Sequence, residues 1–79
     1  MNVRILFFGA TAAVVGRREI LASPDADDTA GDVFEAIISE YPQLRRHKLL
    51  FSVNQEFASG SEAIHDGDEL AVFTAVSGG

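Results

Sequence analysis

Hydrophobic positions along the chain change period several times, and each change marks an element. Val3 to Phe8 is an almost unbroken run of β-branched, aliphatic and aromatic residues carrying one Arg. It is too apolar on both sides for a half-exposed strand, so a central strand is expected. Gly9 ends it. Ala10 to Val15 is alanine-rich and closed by Gly16, which predicts a turn or two of helix with a glycine stop. Arg17 to Ala22 passes from charged to apolar positions, with Ile20 and Ala22 on one face, and predicts a second strand. Ser23 to Asp28 holds Pro24 and three aspartates and reads as a loop.

Thr29 then stands as a helix N-cap, with Asp32 three residues on to return the bond in a variant of the capping box. Val33, Phe34, Ile37, Ile38 and Tyr41 recur at spacings of one, three and four, so they form one broad stripe for packing against a sheet. Pro42 is expected to close this helix, because the residue before proline is pushed out of the helical region. Leu49 to Val53 reads as a third strand, Asn54 to Glu56 as a turn into a short segment around Phe57, and Ser59-Gly60 as a loop. Ala63 to His65 is long enough only for an edge strand or a single turn. Asp66-Gly67 is a strong turn signal, and Glu69 to Val76 supplies the last strand. The first and last strands are the most apolar, so they are expected side by side in the middle of a mixed sheet, with the Thr29–Tyr41 helix across one face. This is an α+β, β-grasp (ubiquitin-like) architecture in one domain spanning 1–79, anchored to about Val76 and with a flexible tail from about residue 75.

Composition narrows the function. Hydrophobic residues make up 47% of the 79, including six phenylalanines, enough for a single compact core with some apolar surface left for a partner. The net charge is −6, which repels phosphate backbones and anionic membranes, so neither nucleic acid nor a membrane is an expected partner. The basic residues pair as Arg17-Arg18 and Arg45-Arg46, the latter near His47 and Lys48; short clusters of this kind read as solvated turns. Cysteine is absent, which removes thiolate metal sites and cysteine nucleophiles. Asp66, Asp68 and Glu69 read as a solvated turn, and His47 and His65 lack a third ligand at useful spacing. With neither a charged leader nor a long apolar segment in the sequence, a cytoplasmic location is expected.

The chain closes on Ser77-Gly78-Gly79. Two glycines make a thread that fits a channel too narrow for side chains, although frayed termini also end in glycine. The residues as a whole resemble the small sulfur-carrier subunit of molybdopterin synthase. The resemblance rests on Val3-Arg4-Ile5-Leu6-Phe7-Phe8-Gly9, Thr29-Ala30-Gly31-Asp32-Val33, Tyr41-Pro42, Ser52-Val53-Asn54-Gln55, Asp66 to Phe73 and the closing Val76-Ser77-Gly78-Gly79. One departure is Thr74-Ala75, where that family commonly has two prolines; their loss lowers preorganisation by about 0.4–1 kcal/mol per site.

The resemblance implies a mechanism. A carboxylate lacks an adequate leaving group, so a ubiquitin-activating-like adenylyltransferase would use ATP and magnesium to make an acyl-adenylate at Gly79. A sulfur donor protein would then leave a thiocarboxylate there, for delivery to a pterin precursor in the large subunit of molybdopterin synthase. The carrier itself would bind no cofactor and would be non-catalytic alone. Ala75 to Gly79 can span roughly 17 Å when extended, and ordering five residues costs about 5–10 kcal/mol, so an apolar docking surface is required. By resemblance Phe8, Phe57 and Phe73 are its candidates, with Val76 and Ser77 contacting the partner along the tail and Gly78 giving the reacting end access. Each phenylalanine also fits a core position. Two alternatives stay open: a carrier for thiamin or cysteine synthesis, and a ubiquitin-like tag or non-catalytic interaction module.

Overall fold

The structure, a computed structural model, describes residues 1–75. Among these residues five strands form one mixed sheet: β1 (Val3–Phe7), β2 (Glu19–Ala22), β3 (Leu49–Val53), β4 (Glu56–Phe57) and β5 (Glu69–Thr74), in the order β2-β1-β5-β3-β4. β1 and β5 pair in parallel at the centre, and β2, β3 and β4 join antiparallel. This is the expected β-grasp fold, with the first and last strands adjacent at the centre.

Helix α1 (Ala10–Val15) ends on Gly16 in the left-handed region, φ 80°, where a residue without Cβ carries no strain. Helix α2 (Ala30–Glu40) starts from the predicted box: the Thr29 hydroxyl accepts the Asp32 N–H, and the Asp32 carboxylate accepts the Thr29 N–H. The remaining donors of its first turn are met by a loop rather than by water. Ala30 N–H donates to the Glu62 carbonyl and Gly31 N–H to the Gly60 carbonyl, each at 2.8 Å. This passage is tight enough that a Cβ on Gly31 would lie 2.9 Å from the Gly60 oxygen.

The core lies between α2 and one sheet face. Val33, Phe34 and Ile37 pack with Val3, Ile5 and Phe7 of β1 and Leu70 and Val72 of β5, in a cluster that also takes in Leu44 and Ile64. Phe34 and Phe51 stack with centroids 4.2 Å apart. Tyr41 meets Phe7 edge-on at 6.2 Å.

Several boundaries differ from expectation. β1 stops at Phe7 and β2 begins at Glu19 rather than Arg17. The described part of β5 ends at Thr74. Pro42 ends α2 but also opens a 3₁₀ turn over Pro42–Arg46, because a φ locked near −65° suits the first position of a new helical turn. The larger correction concerns β1. It is central but covered on one face only, since Arg4 is exposed and Leu6 half-buried between buried Val3, Ile5 and Phe7. One apolar run thus serves a core on one side and an open surface on the other.

Candidate functional site

Strand register defines the open face. Leu6 pairs with Ala71, Ala71 with Ser52 and Ser52 with Phe57, while Phe73 pairs with Leu50. Paired residues share a face, so Leu6, Leu50, Phe57 and Phe73 form an apolar field around the small side chains of Ala71 and Ser52. Phe57 is 75% exposed and Leu50 37%. The Phe57 and Phe73 rings lie 5.9 Å apart at 45°. Nothing among the described residues covers this field, which is the hallmark of a docking surface.

A polar flank bounds it toward β2. Arg4 donates to Glu19 Oε1 through Nε at 3.2 Å and Nη2 at 2.8 Å, and stands 3.5 Å from Glu69. The Glu19 carboxylate, first by hydrogen bond and then by charge, pushes the Arg4 pKa further up. An arginine is cationic at any physiological pH, and here two carboxylates balance that charge.

The site residues expected from sequence fall into three groups. Phe57 and Phe73 are brought together on the open face. Phe8 lies just beyond β1, 51% exposed, and lines a shallow depression with Leu6 and Glu19. Val76, Ser77, Gly78 and Gly79 lie outside the described residues. Sequence reasoning missed Leu6, Leu50 and Arg4. The triplet Leu49-Leu50-Phe51 is apolar at every position, so period alone cannot tell inward from outward, whereas pairing with Phe73 does.

The strand leading to residues 76–79 is held firmly. Thr11 is fully buried, and its hydroxyl sits 2.7 Å from the Phe8 carbonyl and 2.9 Å from the Val72 carbonyl. It thereby ties α1 to the adjoining ends of both central strands. Ala75 N–H donates to the Lys48 carbonyl at 2.8 Å, carrying the pairing with β3 up to the last described residue.

Comparison with known proteins fits this arrangement. A family model described as the ThiS family matches residues 5–79. The chain belongs to the ThiS family. Its relatives include small archaeal modifier protein 1 of Haloferax volcanii, 35% identical over 91% of this chain and 94% of that protein. The molybdopterin synthase sulfur carrier subunit of Mycobacterium tuberculosis is 32% identical over 100% and 99%. The crystal structure of the H. volcanii modifier superposes with a TM-score of 0.87 at 32% identity, covering 100% of both chains. Within this ThiS-family fold the open face and the end of β5 lie together, so a partner seated on the first is placed beside the second.

Proposed function

We propose that this chain is a sulfur carrier acting as the small subunit of molybdopterin synthase. The observation that carries the reading is an uncovered apolar face, built from Leu6, Leu50, Phe57 and Phe73, beside the strand that leads to Val76-Ser77-Gly78-Gly79. Full-length similarity to a sulfur carrier subunit supports it. In this reading the Gly79 carboxylate attacks the α-phosphorus of ATP on an adenylyltransferase that also holds magnesium, and pyrophosphate leaves. A persulfide sulfur on a donor protein then attacks the acyl carbon; the C–S bond forms, the C–O bond breaks and AMP departs. A second thiol cleaves the S–S bond of the resulting acyl disulfide, leaving the thiocarboxylate on the carrier and a disulfide on the donor. The thiocarboxylate travels into the large subunit, which supplies the groups that bind and protonate the pterin precursor. Phe8, Phe57 and Phe73 seat the domain, and Gly78 gives the reacting end access.

Intact mass spectrometry after co-expression with the adenylyltransferase and a sulfur donor tests this. A gain equal to the difference between sulfur and oxygen is expected, and it is lost when Gly79 is deleted while binding to the large subunit persists. An unchanged mass, under conditions that thiolate a known carrier, overturns the proposal.

The similarity to an archaeal modifier favours a second reading, in which the activated Gly79 is joined to lysines of other proteins. Conjugates of higher mass that survive reduction and disappear with Gly79 would support it. Rescue of a strain lacking the small subunit of molybdopterin synthase would support the first reading over carriers of other pathways.

A further inference from the structure

The two basic clusters, far apart in sequence, meet at one end of the fold. β1 and β5 run in parallel, and β2 and β3 run against them, so the residues that precede β2 and β3 lie where β1 and β5 finish. Arg17 and Arg18 precede β2, and the Arg18 carbonyl accepts the Phe7 N–H at 2.9 Å. Lys48 precedes β3, and its carbonyl accepts the Ala75 N–H at 2.8 Å. Arg45 and Arg46 complete the 3₁₀ turn, against which α1 packs. Five of the six lysines and arginines thus surround the end of the sheet from which the chain continues to Gly79.

All five are exposed, and none forms an ion pair among the described residues. The sixth, Arg4, is engaged by Glu19 and Glu69, which also occupies the carboxylate nearest in sequence to Arg18. Carboxylates gather at the opposite end, where Asp25, Asp27 and Asp28 follow β2 and Asp66 and Asp68 precede β5. β5 has six residues, about 20 Å at roughly 3.3 Å each, which exceeds two Debye lengths of about 8 Å at physiological salt. A net-acidic protein therefore presents a locally cationic end.

We propose that Arg17, Arg18, Arg45, Arg46 and Lys48 form a collar that docks on a carboxylate-rich rim around the channel of the large subunit that takes up the Gly79 end. The inference rests on the carrier reading and adds to it the chemistry of the partner's entrance. Charge complementarity singles out a protein surface: its carboxylates can be confined to the collar, whereas an extended polyphosphate would run on past the acidic flanks. Opposite charges at the entrance steer encounter and align the domain before the apolar face seats.

The test compares the wild type with R17Q/R18Q/R45Q/R46Q/K48Q, measuring association with the large subunit of the same genome by stopped flow across ionic strength. At low salt the variant is expected to associate about tenfold more slowly, and the gap closes near 1 M salt, where the Debye length is about 3 Å. Equal rates and equal salt slopes overturn the collar, as does a salt-sensitive complex of the wild type with poly(U) RNA that the variant loses while its rate with the large subunit stays unchanged. Circular dichroism checks that the variant folds, and R17Q/R18Q and R45Q/R46Q/K48Q taken separately replace it should it not. Thiocarboxylate formation by the wild type is scored independently: if it fails, the carrier reading falls, whereas if it succeeds with unaltered association kinetics in the variant, only the collar falls.

Discussion

Phe57 and Phe73 stand 5.9 Å apart, centroid to centroid, on the uncovered face of the sheet, although fifteen residues of chain lie between them. Ser52 brings them together, since β3 pairs with β5 on one side and with β4 on the other. Phe57→Ala should leave folding stability within about 0.5 kcal/mol, because that ring is 75% exposed. It should weaken large-subunit binding by about 2 kcal/mol, as expected of an aromatic anchor. Urea denaturation and calorimetric titration separate the two effects. A double-mutant cycle with Phe73→Ala should show coupling, because the rings touch.

Thr11→Val tests the tie between α1 and the central strands. The substitution keeps the shape and removes the only side-chain donor near the Phe8 and Val72 carbonyls among the described residues. Val72 retains the Phe8 N–H, so the expected loss is about 1–3 kcal/mol for one under-satisfied buried acceptor, read as a lower urea midpoint at unchanged slope.

Gly31→Ala sets helix propensity against packing. Propensity in an exposed helix predicts a gain of about 0.8–1.0 kcal/mol. The new Cβ would instead meet the Gly60 carbonyl oxygen at 2.9 Å, a backbone atom that also accepts the Gly31 N–H. Overpacking of this kind costs about 1–3 kcal/mol, so a net loss of stability is expected, and a raised melting temperature would refute the close approach.

Acid should loosen the loop that closes the start of α2. The Ser59 backbone N–H, with the N–H groups of Glu62 itself and Gly60, holds the Glu62 carboxyl at about 2 against an ordinary 4.5. A depressed folded-state value contributes stability that is complete above the unfolded pKa and is lost as pH falls through the folded one. The difference in melting temperature between wild type and Glu62→Gln should therefore be constant above about pH 5 and shrink between 4.5 and about 2. Asp68, lowered by the Asn54 side-chain amide and then by the His65 N–H, adds an acid sensitivity of the same sign that Asn54→Ala should reduce.

Local chemistry made much of this protein legible in one dimension. The Thr29–Asp32 box, the Gly16 stop, the Asp66-Gly67 turn and the stripe from Val33 to Ile37 depend on neighbours within a few residues, and each stands where the pattern put it. The apolar richness of the first and last strands likewise sufficed to place them together at the centre. The sense of Pro42 was half legible. Its ring ends an α-helix and equally starts a 3₁₀ turn, and the choice between leaving and turning again is made by Leu44 finding the core.

Contacts across the fold decided the rest. Apolar positions on both sides of β1 and β3 look alike in sequence, and only the placement of α2 on one face made Leu6, Leu50 and Phe73 surface residues. Gly31 is an ordinary helical glycine until the Gly60 carbonyl approaches it. The arginine pairs read as separate solvated turns until antiparallel β2 and β3 bring them to the end where β5 finishes. The physical reason is common to all three: capping and turn preferences act over a few bonds, whereas exposure, close approach and charge clustering are properties of distance in space, which the chain acquires only on folding.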